Sequence, residues 1–149
     1  MTMKVYYPDA QLAHEPRQFM VAGRIVAPLE VPERARRMAD ALAALGLEVT
    51  APPEASFEPV EAVHAPHYVA FLRTAHERFS ALKNAGPEVL PNVHAYRGAG
   101  ADLASRPPPR SDGIIGQAGW YLGDLAVAMG PGTFAAAKAS VDAAIAVAT

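Results

Sequence analysis

The residues best able to do chemistry in this chain are its five histidines. His64 and His67 lie three residues apart in the stretch VHAPHYVAFL (Val63 to Leu72), His76 follows nine residues later, and His14 and His94 stand apart from them. A zinc site takes three or four His, Asp, Glu or Cys ligands from rigid elements. The His64/His67 spacing suits one face of a helix. Pro66 between them is a helix-starting residue, however, because its missing N–H would be unpaired in a first turn. The pair is therefore read as helix punctuation, His64 closing one helix and His67 opening the next, ahead of a metal role.

Other candidate chemistry is thinner. Gly113, Gly116 and Gly119 are spaced G-x-x-G-x-x-G after a proline-rich stretch. A dinucleotide fingerprint needs G-x-G-x-x-G after a strand, so the spacing points to close helix packing. Glu58 and Glu61 form a solvated helix face. No cysteine is present to act as nucleophile or thiolate ligand, and no G-x-S-x-G elbow occurs. Arg34, Arg36 and Arg37 cannot all face one way on a helix, so at least one is expected to turn inward.

The elements that would position these residues follow from periodicity. Met3 to Tyr7 (MKVYY) is β-branched and aromatic and reads as a strand. Residues 8–32 lack a helical period and read as a long loop, a length more often functional than incidental. Pro32 and Glu33 then open a helix with the stripe Ala35, Met38, Leu42 and Leu45, closed by Gly46. Leu47 to Val49 is a second strand. Strand, loop, helix, strand favours a parallel sheet. A short helix opens at Ser56. Another runs from Pro66 with the stripe Tyr68, Leu72, Ala75, Phe79 and Leu82 to about residues 84–86, leaving Arg73, Glu77, Arg78 and Lys83 off the stripe.

Residues 86–111 form a second long loop, with RPPPR (Arg106 to Arg110) extended. Ile114 to Gly130 reads as a buried helix, and Thr133 as the N-cap of an Ala-rich helix that has no closing cap before Thr149. Only two strands are evident, too few for an α/β sheet.

Composition bounds the class. The 149 residues are about one domain, 51% hydrophobic and 19% charged, with a formal charge of −2. Neither a nucleic-acid face nor an acidic membrane surface is indicated. With no cysteine, no apolar leader at the N-terminus and no long apolar run, the expectation is a cytoplasmic protein without a membrane segment.

Several segments in order resemble the arginase-fold zinc deacetylases, that is, histone deacetylases and their bacterial relatives, acetylpolyamine amidohydrolases above all. KVYYPDAQ (Lys4 to Gln11) resembles their first strand and turn. Gly23 to Leu47 resembles the first loop and helix, with Glu30, Pro32 and Arg34 in order. VHAPHYVAFL resembles a hallmark helix junction, and Ile114 to Ile145 the segment leading into a Gly-Thr-Trp/Phe helix. The resemblance implies an incomplete N-terminal part of a three-layer αβα parallel-sheet domain, mostly helical in this piece, with 1–149 as part of a single domain.

It implies amide hydrolysis by a zinc-activated water in the complete enzyme, with zinc ligands, a His-His pair and a Tyr lying beyond Thr149. On this view neither His64 nor His67 holds the metal, and no zinc is expected on this chain. Arg34 resembles a buried arginine lining an internal channel through which acetate leaves. Two acidic rim positions of the polyamine branch fall on Phe19 and Ile115. Both are apolar, which favours a less charged amide or an acetyl-lysine-like side chain over a polyamine. The family also dimerises through the two long loops, so a homodimer is expected of the whole enzyme. The alternative is a non-enzymatic helical interaction module or the remnant of a truncated gene.

Overall fold

The computed structural model describes residues 3–95, 107–123, 125–126 and 128–149. Residues 96–106 of the second long loop, including Arg106 of RPPPR, lie outside the described residues. The chain divides into two compact units.

The first unit comprises Met1–Glu15, Leu29–Ser56 and Gly132–Thr149. Its β1 (Val5–Tyr6) and β4 (Val49–Thr50) pair in parallel, with Val5 opposite Val49 and Tyr6 opposite Thr50. These are the two strands read from the sequence, each shorter than expected. Between them runs α1 (Pro32–Ala44), with Pro32 in its first turn and Gly46 at φ +73° just past its end. That left-handed conformation is the one a C′ glycine supplies without a Cβ clash.

A five-residue 3-10 turn (Asp9–Ala13) packs on α5 (Thr133–Ala148). A Cβ on Gly132 would stand 2.1 Å from the Ala13 carbonyl oxygen, so only glycine permits this approach. Gly132, not Thr133, is the N-cap of α5. Thr133 instead stands inside the helix, its Oγ1 3.0 Å from His14 Nδ1. The expected cap is displaced because the hydroxyl is engaged by the turn.

The second unit comprises Pro16–Pro28 and Phe57–Pro131. Within the expected loop 8–32 lies an antiparallel hairpin, β2 (Phe19–Val21) and β3 (Arg24–Val26). Its two-residue turn places Ala22 at φ 48° and Gly23 at φ +74°, the pair of positive φ values that matches strand twist. α2 (Glu58–Val63) starts past the anticipated Ser56, with Pro59 in its first turn, and α3 (Pro66–Ser80) follows.

Phe71, Ala75 and Phe79 are the buried ridge of α3, flanked by half-buried Tyr68 and Leu72. The stripe is thus turned from the expected one toward Phe71. Leu82 is 38% exposed because the helix has already ended at Ser80.

α4 (Ile114–Tyr121) is half the anticipated length. Leu122 closes its last turn onto Ala118 and then goes extended, at ψ 134°. The segment beyond returns to a backbone bridge between Val89 and Met129, which a continued helix would forbid. Phe71, Ala75, Phe79, Val89, Ile114, Ala118, Leu122 and Met129 make one core. No helix among the described residues is long and apolar enough to cross a membrane.

Candidate functional site

Arg34 sits in the first turn of α1 and pairs with Glu30, one turn earlier, with its side chain 59% exposed. Arg37 Nε donates to Glu33 Oε1 at 2.9 Å, and Arg36 Nη1 lies 4.0 Å from Glu33 Oε2. The expectation that one arginine turns inward is corrected, since all three are exposed. Glu30 and Glu33 offer each guanidinium a partner along the surface at one-turn spacing. Pairs this exposed contribute little stability, about 0–1 kcal/mol each.

Phe19 opens β2 opposite Val26 and is half-buried. Ile115 is the second residue of α4 and packs against the core of the second unit. Its position is held from α3. Arg78 donates from Nη1 to Gln117 Oε1 (2.6 Å) and from Nη2 to the Asp112 carbonyl (2.8 Å). Gln117 Nε2 donates in turn to the Ser111 carbonyl at 3.3 Å. Arg78 therefore fastens the start of α4. Sequence reading left it as a residue off the apolar stripe, and its partner is 39 positions away with no local signal.

The histidines are distributed among separate neighbours. His67 Nδ1 and the Tyr121 hydroxyl share a hydrogen bond of 2.8 Å, and the Tyr121 ring stacks 4.6 Å from Phe71 and 5.6 Å from Tyr68. His64 closes α2 through its backbone and packs its ring 5.5 Å from Tyr68. His76 Nε2 is 3.3 Å from the Pro87 carbonyl. Burial pushes the phenols of Tyr68 and Tyr121 above their ordinary pKa, so both stay un-ionised near neutrality. Among the described residues no three His, Asp or Glu lie close enough to hold a metal ion. The described residues do not fit a zinc site.

Two buried acids were missed by sequence reading. Glu88 is 3% exposed, and its Oε1 accepts the Arg17 N–H at 2.8 Å, tying the start of the hairpin segment to the core. In the first unit, Asp142 Oδ1 accepts from Lys138 Nζ (2.6 Å) and the Ala55 N–H (3.0 Å). The Lys138 hydrogen bond, supported by the Ala55 N–H, holds the Asp142 carboxyl below its ordinary pKa despite burial. Neither acid has a second carboxylate or a histidine among these hydrogen-bond partners, so neither is part of an acid/base pair. What these side chains do together is fix loop and helix starts.

No family model matches the sequence. The chain is 34% identical over 147 residues to the acetylpolyamine amidohydrolase of Burkholderia pseudomallei, a match covering 98% of this chain and 40% of that protein. It is 29% identical over 144 residues to the acetylpolyamine amidohydrolase of Mycoplana ramosa, again 40% of the relative's length. A crystal structure of the Burkholderia pseudomallei acetylpolyamine aminohydrolase superimposes with a TM-score of 0.87 at 34% identity, over 99% of this chain and 40% of that one. The chain thus spans two-fifths of the length of the proteins it matches.

Proposed function

From its kinship in sequence and fold with the N-terminal portion of the acetylpolyamine amidohydrolases, we propose that this chain supplies the rim and support of a deacetylase. The reaction would be hydrolysis of a small acetylated amine. The observation that carries the reading is agreement of backbone and sequence together over nearly the whole chain. In this reading 1–149 is part of one deacetylase-like domain acting in the cytoplasm. A metal, zinc in our reading, would be held by residues outside those described.

Phe19 and Ile115 would line the substrate rim. Two apolar side chains exclude water but give a cationic amine no carboxylate to pair with. That favours an acetyl-lysine-like or otherwise weakly charged substrate over a polyamine. Arg34 would support an internal channel once further polypeptide covers α1 and desolvates its guanidinium. A homodimer through the segments 8–32 and 86–111 belongs to the same proposal.

The test is a fusion of residues 1–149 to the unmatched remainder of the Burkholderia relative, assayed on an acetylated diamine and on an acetyl-lysine peptide. Hydrolysis with preference for the peptide is expected, and Phe19→Glu with Ile115→Glu should raise relative activity on the diamine. A folded fusion that turns over neither substrate would refute the reading.

A further inference from the structure

A carboxylate buried in an apolar core calls for a physical reason, because a charge withdrawn from water is costly unless its lone pairs find donors. Glu88 is 3% exposed and precedes Val89, which is fully buried. Its Oε1 accepts the Arg17 N–H at 2.8 Å, while no donor among the described residues reaches Oε2, itself buried. The backbone beside it is fixed. The Val89 N–H donates to the Met129 carbonyl at 3.0 Å, and the Met129 N–H to the Val89 carbonyl at 3.3 Å. A Cβ on Gly130 would come 3.9 Å from Oε1, so the carboxylate lies between this bridge and the start of the hairpin segment. A half-satisfied buried acid lowers stability where an apolar side chain would raise it. Stability therefore does not account for Glu88.

The hairpin supplies the reason. β2 and β3 are three residues each, too short to stand as an isolated pair. Their turn also holds Ala22 at φ 48°, a conformation that an L-residue adopts only at a cost. The Met20 N–H reaches the Leu125 carbonyl at 3.5 Å, a long bond. The short bond from the Arg17 N–H to a carboxylate, two residues ahead of Phe19, is the stronger anchor. It spans 71 positions, so it ties the hairpin to the core and not to its own neighbourhood. We infer that Glu88 is a positioning residue: through the Arg17 N–H it sets where β2 presents Phe19, and so how firmly an acetylated substrate is held at the rim. The buried charge is kept for that placement, at a cost in stability. The substrate half of the inference rests on the deacetylase reading, and the latch itself on the bonds of the second unit alone.

The experiment compares Glu88→Leu and Glu88→Gln in the 149-residue chain by amide hydrogen exchange and thermal melting. Glu88→Leu should speed exchange across residues 19–26 by about tenfold, the measure of one hydrogen bond to a charged group. Exchange across residues 71–79 of α3 should not change, and the melting midpoint should not fall. Glu88→Gln keeps an oxygen for the Arg17 N–H and should restore the wild-type exchange of the hairpin. An unaltered hairpin in Glu88→Leu overturns the inference. So does a lowered midpoint, loss of folding, or exchange that rises equally in α3, since an ordinary structural residue gives those results. In the fusion assay, Glu88→Leu should raise KM for the acetyl-lysine peptide about fivefold with kcat unchanged. A fall in kcat alone overturns the role at the rim. A wild-type fusion that turns over neither substrate, beside a hairpin loosened as expected, defeats the deacetylase reading and leaves the latch standing. An active fusion with an unaltered hairpin does the reverse.

Discussion

His67 can look chemical in sequence beside His64, yet with Tyr121 it makes a structural pair in space. Their hydrogen bond and the ring contacts of Tyr121 join α3 to α4. Tyr121→Phe keeps the rings and removes the bond, and should cost about 1 kcal/mol in a urea melt. Asp142 gives a pH signature. Its carboxyl is held below the ordinary value of 3.8 by Lys138. The stabilisation is therefore complete above that value and is lost as pH falls through the folded-state pKa. Asp142→Asn should be less stable by about 1.5–3 kcal/mol near neutrality, since hydrogen bonds to a charged group are lost. The gap should narrow in melts taken below pH 4. Pro66 made the punctuation role of the histidines legible. The partners of Tyr121 and Asp142 were not, because each lies many residues away on an element whose placement only packing decides.

At the scale of elements, the glycine spacing of 113, 116 and 119 announced close approach, and Gly119 shows it. A Cβ there would stand 2.0 Å from the Val93 carbonyl oxygen. Gly119→Ala should destabilise by about 1–3 kcal/mol or more, since backbone must move. Gly123→Ala, with nothing within 4 Å of its added Cβ, is the control and should stay within about 0.5 kcal/mol in the same thermal melts. The parallel strands and α1, α3 and α5 were legible from period and end signals. The hairpin was not, because Ala22-Gly23 is a weak turn signal and Ala in the left-handed region costs about 1–2 kcal/mol that only the paired strands offset. The early end of α4 was also hidden. Leu122 to Gly130 is apolar enough to continue a helix, and the bridge to Val89 that prevents it is a long-range contact.

At the scale of the whole molecule, support is well built and no metal-ligand cluster occurs among the described residues. Purified 1–149 is expected to hold no stoichiometric zinc by elemental analysis and to hydrolyse no acetylated amine; one equivalent of tightly held metal would contradict the proposed role. Phe19, Ile115 and Arg34 could be nominated only through family resemblance, since the roles proposed for them would depend on residues outside those described. The order of the two units along the chain has a further consequence, for synthesis. The first unit needs its opening residues and its last helix, whose contact between His14 and Thr133 spans 119 positions. At about 5–20 residues per second on the ribosome, the first partner waits roughly 6–24 s for the second. Throughout that interval β1 and the 3-10 turn are without α5, so the nascent chain offers its earliest apolar segment to chaperones before its own helix can claim it.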